Sequence, residues 1–200
     1  MKTSRIALSV ALALASLSAA ADIMVGGANM YSNRDIIDNA VNSRDHTTLV
    51  AAVKAADLVQ TLKGPGPYTV FAPTNDAFAM LPAGTVDTLL MPANKPMLSK
   101  TLTYHVVSGA FDSAALRQRV AAGNGKAMLR TVEGENLTVT SRGNGLAITD
   151  ARGATANITI ADVTQSNGVI HVVDKVLMPA APKSAAMDNG IFWANDSAGG

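Results

Sequence analysis

Two hundred residues, 48% of them apolar and 16% charged, suit one packed domain with tails and exclude a disordered chain. Sixteen basic residues stand against fifteen acidic ones with no basic run, which excludes the stripe that tracks a phosphate backbone, so nucleic acid is not an expected partner. The sequence has no cysteine, so no disulfide framework is available, and its eight aromatic residues leave the core to aliphatic side chains.

The first elements in chain order form a leader. Lys2 and Arg5 precede an apolar run from Ile6 to Leu17, and Ala19-Ala20-Ala21 supplies small residues for cleavage before Asp22. Residues 1–21 are therefore expected to be a signal peptide, and the product to be secreted or periplasmic. No cysteine offers a lipid attachment, and no later run is long and apolar enough to span a bilayer, so no stable membrane anchor is expected. Removing Lys2 and Arg5 lowers the basic count from 16 to 14 and turns the charge slightly negative.

Residues 22–33 are rich in glycine and asparagine and predict an extended segment. A domain over 34–179 follows. "RDIIDNAVNS" places Ile36, Ile37, Ala40 and Val41 on one helical stripe. A second helix is expected to start at Asp45 as N-cap, with His46 solvated in its first turn and Leu49, Val50, Val53 and Leu58 inward. "KGPGP" ends it, since two prolines and two glycines cannot continue a helix. "YTVFA" reads as a strand closed by Pro73, with Thr74 capping a helix that carries Asp76 in its first turn. Two short helices punctuated by Pro92 and Pro96 come next, then one capped by Asp112 and stopped by Gly123, with Leu116 and Val120 inward. From Lys126 onward the pattern changes to alternating, β-branched runs separated by glycine turns. "NGVIHVVDKVLMP" is the most apolar of these and suits a central strand. Residues 180–200 predict a flexible tail, with "IFW" at 191–193 as an alternative anchor that docks.

Three motifs in order, "GPYTVFAPTNDAFAMLP", "YHVVSGA" and "SNGVIHVVDKVLMP", resemble the two boxes and intervening Tyr-His of the fasciclin domain family. The resemblance covers roughly residues 36–179. It implies an α+β fold, a helical layer packed on a wedge of β-strands. It also implies that Thr74, Asn75 and Asp76 in the first box, and Asn167, Gly168 and His171 in the second, are structural motif residues. In animal members the Tyr-His position, here Tyr104 and His105, is linked to adhesion. An Asp-Ile pair before the second box is tied there to integrin binding. This chain keeps Asp162 followed by Val163 without the preceding acidic and proline residues, so integrin recognition does not carry over.

The candidate binding residues are thus Tyr104, His105 and Asp162. The Tyr-His pair has a second reading, as a semi-buried phenol and imidazole that serve the fold. His171, within a strand, is expected to be a hydrogen-bonded core histidine. The three histidines show no ligand spacing, so neither a metal nor another cofactor is expected. Ser108 or Ser166 would need His105 or His171 and an aspartate to act as a nucleophile, and no GxSxG elbow is present, so no enzyme is expected. The sequons at Asn136, Asn157 and Asn195 are expected to be unused. The expected function is a monomeric binding module in adhesion or surface and matrix association. The alternative is a carrier of a small apolar ligand in a groove between helices and sheet.

Overall fold

The computed structural model describes residues 23–180. The leader, the tail beyond Ala180 and the sequon at Asn195 lie outside the described residues. The chain opens with a hairpin, β1 (Ile23–Val25) and β2 (Ala28–Met30), whose Val25 and Met30 are buried in the core. Five short or medium helical segments and a strand follow: α1 (Ile36–Ala40), α2 (Thr47–Ala55), α3 (Val59–Leu62), β3 (Tyr68–Pro73), α4 (Asn75–Ala79) and α5 (Thr85–Leu90). Then come α6 (Lys95–Tyr104), β4 (Val106–Ser108) and α7 (Ser113–Ala122). Five strands complete the chain: β5 (Lys126–Arg130), β6 (Asn136–Arg142), β7 (Gly145–Thr149), β8 (Thr155–Gln165) and β9 (Gly168–Val173).

The main sheet runs β4-β3-β9-β8-β7-β6-β5, with β3 and β9 parallel and the other pairs antiparallel. A bridge between Val107 and Thr131, and a 2.7 Å bond from Val132 N–H to the Val106 carbonyl, draw the two edges together. The sheet therefore curls into a nearly closed wedge, and the fold is α+β. β9 is buried along its whole length, between β3 and β8, as its unbroken apolar run requires. Two cores result. One lies under the helices, between α1, α2, α6 and one face of β3 and β9; the other lies inside the curl, where α7 plugs β5 to β8.

Local sequence explains most element ends. Asp35, Thr74 and Asp112 each accept a hydrogen bond from a backbone N–H three residues on, at 2.8, 3.2 and 2.7 Å. Several expectations need correction. Asp45 does not cap α2; it sits in a 3-10 turn over Arg44–His46 that precedes the helix. Val41 does not join the inward stripe, because α1 ends before it and the side chain is 48% exposed, while polar Asn39 is buried instead. Pro96 does not separate helices but lies in the first turn of α6, where its missing N–H costs nothing.

Candidate functional site

Tyr104 and His105 end α6, and the structure buries both completely enough to remove them from any contact surface. The phenol donates to the Asn136 carbonyl at 3.2 Å and accepts from the Ala151 N–H at 2.8 Å. Burial pushes its pKa up to about 12, so it is a neutral strut between α6 and two strand ends. His105 lies between the Thr101 carbonyl, 2.8 Å from Nδ1, and the Leu177 N–H, which donates to Nε2 at 2.9 Å. Because Nε2 accepts, Nδ1 must carry the proton. Burial lowers the pKa to about 4 and holds the ring neutral. The expected semi-buried pair is thus sealed, because each ring is needed inside to satisfy main-chain groups that water cannot reach.

His105 is the first of four ties on the segment after β9. Met178 N–H donates to Asp150 Oδ2 at 3.0 Å, Arg152 Nε donates to the Pro179 carbonyl at 2.8 Å, and Ala180 N–H donates to Glu135 Oε2 at 2.7 Å. The last of these bonds holds the Glu135 carboxyl below its usual range, with Lys100 adding to the effect.

Asp162 has a positive φ of 63°, at an irregularity in the β8–β9 pairing. That conformation turns its carboxylate onto the start of α7, where it accepts from Ser113 N–H and Ser113 Oγ, both at 2.5 Å. Its own N–H donates to His171 Nδ1 at 3.3 Å, so His171 Nε2 carries the proton given to the Phe111 carbonyl at 2.8 Å. The imidazole stacks on Phe71 with centroids 5.7 Å apart, and burial lowers its pKa. Asp162 and His171 thus meet, but the pair is spent on fixing α7 to the sheet.

The box residues are tied to distant main chain. Asn75 Oδ1 accepts from Thr48 N–H at 3.0 Å and Thr47 Oγ1 at 3.1 Å, while its Nδ2 donates to the Arg44 carbonyl at 2.8 Å. A first-box side chain therefore caps α2, which lacks a cap of its own. Asp76 is exposed in the first turn of α4. Asn167 accepts from Ile36 N–H at 3.0 Å and donates to the Leu62 and Gly64 carbonyls at 2.8 and 3.0 Å. A Cβ on Gly168 would fall on the Tyr68 carbonyl, and one on Gly66, at φ 55°, on the Asn167 carbonyl. Only glycine lets these two crossings close.

His46 departs from the solvated expectation. It is 3% exposed, with Nδ1 2.8 Å from Ser43 Oγ, and burial lowers its pKa. Its Nε2 is the one buried side-chain polar atom without a partner among the described residues. Ser43, three residues earlier, was the signal for this; neither residue opens to a substrate. Neither Ser108 nor Ser166 pairs with a histidine among the described residues. Nor do the described residues group three or more metal-ligating side chains, and no described helix is long and apolar enough to cross a membrane.

A family model for the fasciclin domain matches residues 44–179. The chain belongs to the fasciclin domain family. It is 46% identical over 156 residues to protein sll1483 of Synechocystis, covering 78% of this chain and 79% of that one. It is 38% identical to the immunogenic protein MPB70 of Mycobacterium bovis, covering 71% and 67%. Its fold matches a solved domain pair from the insect cell adhesion molecule Fasciclin I, with a TM-score of 0.65 at 16% identity. That match covers 72% of this chain, which spans about half of the solved one.

Under α1 and α2, this fasciclin domain offers little room between helices and sheet. Two neighbouring apolar cavities of about 40 and 30 Å³ share Ile36, Ala40, Leu49 and Val70 in their walls, and His46 lines the smaller. Ligand pockets usually measure roughly 300–1,000 Å³. On this side of the sheet the space for the expected carrier groove is therefore filled by the side chains of α1 and α2. The outer surface is more open. Met80 (67% exposed), Met91 (53%) and Met97 (49%) project from the run of short helices from α4 to α6.

Proposed function

We propose that this fasciclin domain is an exported binding module that associates with a protein or a surface or matrix component through the methionine-bearing outer side of α4 to α6. The observation that carries the reading is the exposure of Met80, Met91 and Met97 on a domain whose histidines and box side chains are nearly all committed to internal ties. Methionine is flexible and polarizable, and it suits surfaces that adapt to a partner. The likeness to a chain from a cell adhesion molecule, and the lack of a histidine partner for Ser108 and Ser166 among the described residues, support binding over catalysis. Export rests on the leader over residues 1–21, and an intact mass beginning at Asp22 is its check.

The test is a binding isotherm of labelled mature protein on washed envelopes of its source cells. Wild type binds saturably, and the combined Met80→Lys, Met91→Lys and Met97→Lys variant binds at least tenfold more weakly, about 1.4 kcal/mol, with an unchanged melting temperature. Absence of saturable binding, or equal binding by the variant, contradicts the reading.

A further inference from the structure

The four ties after β9 have a consequence at the surface. They deliver the main chain to Ala180, whose N–H is held by Glu135. Glu135 and Glu133 both pair with Lys100 of α6 at 3.3 Å, so the chain leaves the domain beside the junction of α6 and the β5–β6 turn. Val132, directly before Glu133, forms one wall of a surface groove of about 220 Å³ at that same junction. Leu58, Leu62, Tyr68, Leu102 and Val106 supply its other apolar walls, and the exposed Thr61 lines it too, beside Thr103 and Ser108. Val132 is 43% exposed despite its size, and nothing among the described residues covers the groove.

Eleven residues beyond Ala180 the sequence reads Ile191-Phe192-Trp193, the only cluster of large apolar residues after Pro179. A linker of that length spans about 18 Å on average and at most about 36 Å. Both figures cover the few residues' distance from Glu135 to the groove. A volume of roughly 150 Å³ already accepts a benzene ring, so this groove has room for an indole or phenyl group. We propose that Ile191, Phe192 and Trp193 dock in cis into the groove walled by Val132, Leu58 and Leu102, between α3, α6 and the sheet edge. The ties at Leu177, Met178, Pro179 and Ala180 fix the start of the tail and so raise the effective concentration of the triad at the groove.

Trp193 is the only tryptophan in the sequence, so its fluorescence in the mature full-length chain reports the docking without a label. The emission is expected to be blue-shifted from that of N-acetyltryptophanamide, and acrylamide quenching several-fold weaker, at all protein concentrations. Val132→Glu and, separately, Thr61→Glu place a charge in the groove at exposed positions. Each is expected to return emission and quenching to the values of the free amide while circular dichroism stays native. Met128→Glu puts the same charge on the exposed side of β5, outside the groove, and leaves both signals unchanged. Emission and quenching equal to the free amide in the wild-type protein overturn the proposal. So does a shift that depends on protein concentration, which assigns the groove to a second copy, or one abolished by Met128→Glu and untouched by both groove variants.

Discussion

The two cores of this domain are packed to different standards. Inside the curl, Phe71, Tyr104, Leu116, Leu137, Val139, Ile148 and Val173 are wholly enclosed, and of these only Phe71 borders the cavities under the helices. Under the helices, two small cavities adjoin Ile36, Ala40, Leu49 and Val70, and a buried imidazole nitrogen lacks a partner among the described residues. Strands explain the difference. Alternation on β5 and β6, with the continuous buried run of β7, presents branched and leucine side chains at a fixed spacing to one another and to α7, so they interdigitate. The helical layer is built from pieces as short as four or five residues, which pack without long ridges and are positioned by side-chain ties such as Asn75 and Asn167.

The joint between the cores offers the hardest break. Gly168→Ala drives a methyl into the Tyr68 carbonyl across the parallel β3–β9 pair, and no flexible side chain can yield there. A loss above about 4 kcal/mol is expected in urea unfolding, with both cores loosened together. A native midpoint would mean that the two halves slide past each other freely.

Truncation separates the cores from each other. Leu137→Ala removes a fully enclosed side chain and is expected to cost about 4 kcal/mol, whereas Leu49→Ala borders existing voids, makes fewer contacts and costs about 2 kcal/mol. Equal losses would dissolve the distinction.

Acid probes the histidines that bind the cores together. The unfolded chain protonates His105 near 6.5, the folded one only near 4. Between these values the unfolded state holds more protons, so stability is complete above pH 6.5 and falls as pH drops toward 4. His46 and His171 are shifted in the same direction by burial and add to the slope. From His105 alone the expected loss is about 3 kcal/mol, and His105→Gln should flatten the profile. The smallest effect belongs to Ala40→Val, which adds volume at the wall shared by both cavities and should change stability by about 0.5 kcal/mol or less, in contrast to the strain that extra methylenes cause in a filled core.

The contrast also decides what could be read from sequence. Alternation in "NLTVT" and "GLAIT" marks Leu137, Val139, Leu146 and Ile148 as core, and the Asp112 cap with Leu116 and Val120 places α7, because those signals are local. The fasciclin motifs identified the fold through their order. The helical layer was less legible because its partners are remote in sequence. Nothing near Thr47 announces that Asn75 caps its helix, and His46 looks solvated until Ser43 and the β1–β2 hairpin close over it. Tyr104 and His105 stand side by side in sequence at the end of a helix, but of their hydrogen-bond partners only the Thr101 carbonyl is near in sequence, and the others lie at Asn136, Ala151 and Leu177. Only the fold shows that both face inward.

The central claim, that the Tyr-His pair serves the fold while the exposed methionines meet the partner, is tested most directly by His105→Ala. Its unfolding free energy in urea and its isotherm on source-cell envelopes are measured on the same sample. Losing the acceptor for Leu177 and the packing of the ring is expected to lower stability by about 3 kcal/mol, with the affinity of the folded fraction unchanged. A wild-type unfolding curve combined with affinity weakened tenfold or more would contradict the account.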